Sequence, residues 1–191
     1  MVAIAASAGG LKAISEVLEA LPLKFPLPIT IVQHLDPRHP SLMAKILCRR
    51  TLLPVLEARE GIRFDPGVVY IAPPDRHLLV NTDETASLSR SEMVHFVRPS
   101  ADLLFESAAA TYKDRTLGVV MTGTGTDGSV GVRAIRKMGG TVIAQDQASS
   151  EFFGMPGAAI QTGCVDFILP LHAIAPALLD WALQEKHYEP R

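Results

Sequence analysis

Runs of small and β-branched apolar residues recur along this chain, and most are followed by a stretch whose apolar residues fall at helical spacing. Val2 to Ala6 reads as a short buried strand and Leu11 to Ala20 as a helix. Ile29 to Gln33 (ITIVQ) reads as a second strand after the stiff connection made by Pro22, Pro26 and Pro28. Ser41 is placed to cap a helix over Leu42 to Arg50, and a strand is expected near Pro54 to Ala58. Pro99 and Ser100 open an amphipathic helix to about Tyr112, with Leu103, Leu104 and Ala108 facing the core. Leu117 to Met121 is the next buried strand, followed by a helix from about Ser129 to Met138 that Gly139 and Gly140 close. A strand TVIA, a helix from Pro156 to Thr162 stopped by Gly163, a strand Val165 to Leu169 and a last helix to about Glu185 complete the series. From Val68 to Leu88 the texture differs: VVYIA, HLLV and ASL alternate with Pro73, Pro74, Asp75, Asn81 and Asp83, which predicts a hairpin or meander inserted between parallel units. Strands alternating with helices predict an α/β fold with a doubly wound, mostly parallel, Rossmann-like sheet and an inserted antiparallel hairpin. One domain over residues 1–187 is expected, with 188–191 a loose tail.

Composition narrows the picture. A chain of 191 residues that is 48% hydrophobic and 20% charged suits one domain with a sizeable core. A net charge of -2 offers no general attraction to nucleic acid or to an anionic membrane, so neither is an expected partner. No apolar run approaches the roughly 20 residues of a membrane-spanning helix, and no basic region or cleavage site precedes the first strand, so neither insertion nor a signal peptide is expected. Cys48 and Cys164 each lie in an apolar segment and are read as two reduced core thiols, which fits the cytoplasm. A chain beginning in mid-strand is expected of a trimmed piece or of a free-standing catalytic module.

The chemistry-bearing residues gather where strands end. Ser7 sits between the first strand and the first helix, followed by Gly9 and Gly10, which can take the backbone angles of a sharp turn; the helix amides then face the same space as its hydroxyl. The stretch resembles a nucleophile elbow in mechanics although GxSxG would need a glycine where Ala5 stands. His34 follows the second strand. The segment HLDPRHPS also brings Asp36 and His39 close to it, but Pro37 and Pro40 prevent the regular helix of a zincin-type site, and no metal is expected. His77 and His95 have no partner spacing and read as surface or strand-edge residues, as do His172 and His187 near helix ends.

The loop TGTGTDG is the second concentrated signal. Gly123, Gly125 and Gly128 satisfy GxGxxG between a strand and a helix, with Asp146 at about the distance of a ribose-binding acid, so a nucleotide or dinucleotide module is the competing reading. Against it, the loop lies late in the chain and Asp127 puts a carboxylate inside the would-be pyrophosphate cradle. In an open α/β sheet, ligands bind beyond the carboxyl ends of the strands. Ser7, His34 and Asp127 all fall on that edge, as a nucleophile, its base and an orienting carboxylate require, with the backbone N–H groups of Thr124 and Ala8 as candidate oxyanion donors.

These residues also carry a resemblance. SxGG after the first strand, QH after the second, GVVYIAPPDRHL, RPSADLLFESAA, TGTGTDG and FGMPGAAI, in that order from Val2 to roughly Leu179, resemble the catalytic domain of the bacterial chemotaxis protein-glutamate methylesterases, the CheB type. The resemblance implies a serine hydrolase of chemotaxis signalling with Ser7 as nucleophile, His34 as general base and acid, Asp127 as the triad acid and the Thr124 N–H as an oxyanion donor. It implies hydrolysis of glutamate γ-methyl esters on the cytoplasmic helices of methyl-accepting chemoreceptors, deamidation of particular receptor glutamines in many members, and no cofactor. Three features depart from the pattern. Ala8 stands where threonine is common, LDPRHPS is similar to forms fused to the opposing methyltransferase, and the receiver domain that usually precedes the family's catalytic domain is not expected within these residues. A receiver domain or a methyltransferase is the further partner expected in a longer protein.

Overall fold

A computed structural model describes residues 1–34 and 41–185. Its centre is a seven-stranded parallel sheet in the order β3-β4-β2-β1-β7-β8-β9. The strands are β1 (Val2–Ala6), β2 (Ile29–Gln33), β3 (Val55–Glu57), β4 (Val69–Ile71), β7 (Leu117–Val120), β8 (Thr141–Gln145) and β9 (Phe167–Leu169). The hairpin β5 (His77–Val80) and β6 (Ala86–Ser89) forms a separate antiparallel pair. Helices α1 (Gly10–Glu19), α2 (Met43–Leu47) and α6 (Leu171–Glu185) contribute to one core, and α3 (Ala101–Tyr112), α4 (Ser129–Lys137) and α5 (Gly154–Gln161) to the other.

The period of two along β1 explains the double winding. Val2, Ile4 and Ala6 enter the core with Ile14 and Leu18 of α1 and Leu178 of α6, whereas Ala3 and Ala5 enter the opposite core with Phe105 of α3 and Val132 of α4. A central strand covered on both faces has no polar side, hence its unbroken apolar run. β1 pairs with β2 on one side and β7 on the other, so the order reverses beside it. The loops after β1, β2 and β7 therefore open at one crevice.

Several expectations change. VVYIA is not part of the inserted meander: Val69–Ile71 is β4, paired in parallel with both β2 and β3, and only HLLV and ASL make the hairpin. A short apolar run does not reveal which strand it will pair with. Helix α2 ends at Leu47, three residues short of Arg50, though the Ser41 hydroxyl does accept the Met43 amide. Leu103 is only half-buried, and Phe105 takes the core position beside Leu104. Neither cysteine is a core residue: Cys48 is exposed, Cys164 is half-buried, and both are free thiols. His77 is fully buried, its Nδ1 accepting the Ser100 amide and its Nε2 donating to the Glu92 carbonyl. No helix among the described residues is long and apolar enough to cross a membrane. The tail expected to be loose, with His187, lies outside the described residues.

Helices α3 and α4 cross at a contact that only glycine permits. A Cβ on Gly131 would lie 2.5 Å from Phe105 Cβ and 3.1 Å from the Asp102 backbone. Gly131→Val is expected to lower stability by about 2 kcal/mol, the usual scale of overpacking. Urea unfolding would register this as a lower midpoint at unchanged slope, and an unaltered midpoint would show that the two helices can separate at no cost.

Candidate active site

Ser7 and His34 are the first residues past two neighbouring strands. The β1 and β2 register pairs Ala6 with Gln33, so the next residue of each chain leaves the sheet at the same level. The His34 amide still donates to the Ala6 carbonyl at 3.3 Å, and the Ser7 amide to the Thr122 carbonyl of the following β7 loop at 3.0 Å. These bonds tie three loops together at one point of the crevice.

A side chain unassigned from sequence strengthens the tie. Gln33 is buried, and its Nε2 donates to the Ser7 carbonyl at 2.7 Å and to the His34 carbonyl at 3.1 Å. Gly10 leaves room for this carboxamide, which a Cβ there would overlap. The available signal was a polar residue closing the otherwise apolar strand ITIVQ. On the β7 side, the Thr122 amide donates to Gln145 Oε1 at 2.8 Å, and the Thr122 hydroxyl donates to the Ala8 carbonyl at 3.0 Å. Gly123 then passes so close to the serine that a Cβ there would lie 2.9 Å from Ser7 Cβ.

Asp127 is the most heavily solvated group of the crevice, although its solvent is protein. Its Oδ2 accepts from His34 Nε2 at 2.8 Å and from the Ala101 amide at 2.6 Å; its Oδ1 accepts from the Ser100 hydroxyl at 2.8 Å and the Asp102 amide at 3.2 Å. Two of these donors are orphan amides at the N-terminus of α3, which favours negative charge. Ser100 makes no capping bond to its own helix because its hydroxyl is committed to Asp127. Burial alone would push the Asp127 carboxyl up; the bonds from His34, Ala101 and Ser100 outweigh it and hold the pKa below the ordinary value. An ionised carboxylate only accepts, so His34 Nε2 carries a proton and the Nδ1 of the neutral imidazole is the basic nitrogen.

The relation between α3 and α4 is reciprocal. Asp127, just before α4, receives the first amides of α3, and Asp102, in the first turn of α3, receives the Val130 and Gly131 amides of α4 at 2.9 and 2.7 Å. The N-terminus of α4, where a dinucleotide would rest its pyrophosphate, is thus filled by the Asp102 carboxylate. Burial raises the Asp102 pKa, opposed by the Gly131 amide and reinforced by the Asp127 charge. Asp146 serves a turn, accepting the Ser149 amide and hydroxyl at 2.9 and 2.6 Å. These contacts account for the glycine loop and Asp146 without a nucleotide.

The remaining site residues are placed as follows. Ser7 is half-buried, and its hydroxyl has no hydrogen-bond partner among the described residues. The Ala8 and Thr124 amides donate to no acceptor among the described residues, and Thr124 stands exposed in the β7 loop. A cleft of about 710 Å³ opens beside Ser7 along α1, lined by Gln33, Leu11, Lys12, Ile46 and Arg50 among others. Asp36 and His39 lie outside the described residues, and no group of three or more potential metal ligands occurs among the described ones.

The folded-state pKa of Asp127 lies below the unfolded value of about 3.9. The stability it contributes is therefore fully present above the unfolded pKa and is lost as pH falls through the folded one. Urea unfolding of wild type and Asp127→Asn is expected to show a gap that is widest at neutral pH and closes as acid protonates the wild-type carboxyl. A gap independent of pH would mean that the negative charge is not what the two helices hold.

A family model described as CheB methylesterase matches residues 2–178. Protein-glutamate methylesterase FrzG of Myxococcus xanthus is 43% identical over 181 residues, covering 95% of this chain and 54% of that protein. This chain spans about half the length of that relative. A Leptospira interrogans protein, provisionally named protein-glutamate methylesterase/protein-glutamine glutaminase, is 41% identical over 174 residues, covering 91% of this chain and 90% of the relative. The crystal structure of the Thermotoga maritima CheB methylesterase catalytic domain superposes with a TM-score of 0.91 at 37% identity, over 94% of this chain and 96% of that one.

Proposed function

The chain belongs to the CheB methylesterase family, and we propose that it hydrolyses the γ-methyl esters of protein glutamates, with Ser7 as nucleophile, His34 as base and Asp127 as the group that orients and charges the base. The observation that carries this reading is the 2.8 Å bond from His34 Nε2 to a buried carboxylate, at the strand edge where Ser7 emerges. His34 Nδ1 takes the Ser7 proton as Oγ attacks the ester carbonyl carbon, and the imidazolium that forms faces the Asp127 charge. The tetrahedral oxyanion is received by the Ala8 and Thr124 amides. Collapse of that intermediate breaks the bond to methoxide, which leaves as methanol with the proton from His34. Water, deprotonated by the same nitrogen, then frees the glutamate from Ser7. A glutamine side chain would follow the same course and release ammonia, in keeping with the glutaminase activity in the name of the Leptospira relative.

The substrates under this reading are methylated glutamates on the cytoplasmic helices of chemoreceptors, which puts the reaction in the cytoplasm. Residues 1–187 act as one catalytic domain, and in a longer protein a receiver domain or a methyltransferase would be its neighbour. The glycine loop serves the hydrolase by passing close to Ser7 and by delivering Asp127.

Methanol release from methylated chemoreceptor membranes tests the reading. Ser7→Ala is expected to abolish it while leaving unfolding unchanged, since the change removes a half-buried hydroxyl that makes no hydrogen bond among the described residues. Asp127→Asn is expected to lower turnover by about 10³- to 10⁴-fold through loss of tautomer control. Release that survives in Ser7→Ala would remove the serine from the mechanism, and near-wild-type turnover in Asp127→Asn would remove the aspartate.

A further inference from the structure

The segment between the hairpin and α3 holds two consecutive non-glycine residues of positive φ, the only such pair among the described residues. Val94 and Val97 exchange both backbone hydrogen bonds, at 3.2 and 2.9 Å, around a two-residue loop formed by His95 and Phe96. Both loop residues have positive φ, 50° and 64°. Those are the φ signs of a type I′ turn, which Asn-Gly adopts readily and a bulky aromatic does not. Phe96 is nevertheless there, 96% exposed, and Met93 beside it is 53% exposed. A strained phenylalanine in open water brings the folded chain neither burial nor backbone ease.

The turn is also held firmly. Arg98 Nη1 donates to the Arg90 and Ser91 carbonyls at 3.2 and 2.8 Å, while its Nε donates to Asp75 at 3.0 Å. The buried His77 donates to the next carbonyl, Glu92, at 3.0 Å. At the tip, His95 Nε2 lies 3.3 Å from Asp102 Oδ2. Asp102 is the residue whose backbone amide donates to Asp127, so three successive contacts run from the turn to His34, the middle one through the main chain. Along the chain only Val97, Arg98 and Pro99 separate Phe96 from Ser100, another donor to Asp127.

We propose that Phe96, with Met93, is an apolar anchor for the methyl-esterified protein substrate, taking an apolar side chain on the helix that carries the ester. This deepens the methylesterase reading and rests on it. A helix presenting a glutamyl ester at Ser7 carries its next same-face side chains one or two turns away, about 5 to 11 Å along its axis. The turn is joined to the triad side of α3 through His95, whose ring lies 3.3 Å from Asp102, itself the neighbour of Asp127. A rigid aromatic that loses little freedom on contact is suited to such an anchor. The strain is retained because glycine, which would relieve it, has nothing to insert.

The test compares two substrates. Phe96→Gly is expected to raise the melting temperature, since glycine accepts this φ. It is expected to lower kcat/KM for methanol release from methylated chemoreceptor membranes by about tenfold or more, with hydrolysis of N-acetylglutamate γ-methyl ester unchanged. Phe96→Leu, which keeps an apolar tip, is expected to recover most of the loss. Wild-type rates on both substrates in Phe96→Gly would overturn the anchor, and so would equal losses on both, which would place the effect at the reacting groups. A wild-type enzyme that releases no methanol from any receptor would overturn the methylesterase reading itself, and the anchor with it.

Discussion

The architecture depends on one buried negative charge. Asp127 has left water, and an isolated carboxylate in that environment would cost far more than a domain's net stability. It is tolerated because four donors converge on its two oxygens: an imidazole, a hydroxyl and two amides at the start of α3. The donors come from two places, the end of β2 and the start of α3, that the fold must set independently. His34 follows β2, Ser100 to Asp102 open α3, and the aspartate ends the loop after β7. The charge therefore couples the register of the central strands to the placement of α3. An imidazole bonded to this carboxylate is oriented by the same contacts that make the charge bearable.

The two helices flanking the site exchange carboxylates. Asp127 receives the amides of α3 and Asp102 those of α4, so each helix N-terminus is satisfied by a side chain next to the other. This exchange needs the helices nearly in backbone contact, which is why Gly131 meets Phe105 and Asp102. The arrangement also decides between the two uses of a glycine-rich loop. Where GxGxxG serves a dinucleotide, the helix N-terminus behind it stays open for phosphate; in this chain a carboxylate of the protein occupies it. The same loop leaves an exposed stretch at Thr124, next to Gly123, whose backbone passes against Ser7 and Met155.

The crevice is asymmetric. On the α1 side it widens into a cleft whose lining joins apolar Leu11 and Ile46 with charged Lys12, Glu16, Glu19 and Arg50. On the α3 side, Asp102 beside the triad carboxylate is met by His95 of the braced turn that carries Phe96. Neither border contributes to the two cores, which close over the sheet without them. Shape and polarity around Ser7 are consequently free to answer to a partner and not to folding.

Local patterns along the chain specify the elements and the edge on which the chemistry gathers. Runs such as VAIAA and ITIVQ can be little other than strands covered on both faces, and apolar spacing sets most helices to within a few residues, so parallel winding and a common strand edge for Ser7, His34 and Asp127 follow from local patterns alone. Motif order added the family. What needed the tertiary structure was every choice made by pairing across distance. VVYIA became β4 because β2 and β3 offered it partners, and the buried place of His77 depended on Ser100 and Glu92, fifteen or more residues away. The roles of Gln33, Ser100 and Asp102 likewise come from hydrogen bonds to loops far along the chain. Periodicity reports whether a side chain meets water or core; it carries no record of which distant donor a buried polar group will find, because that is settled only when the strands dock in register.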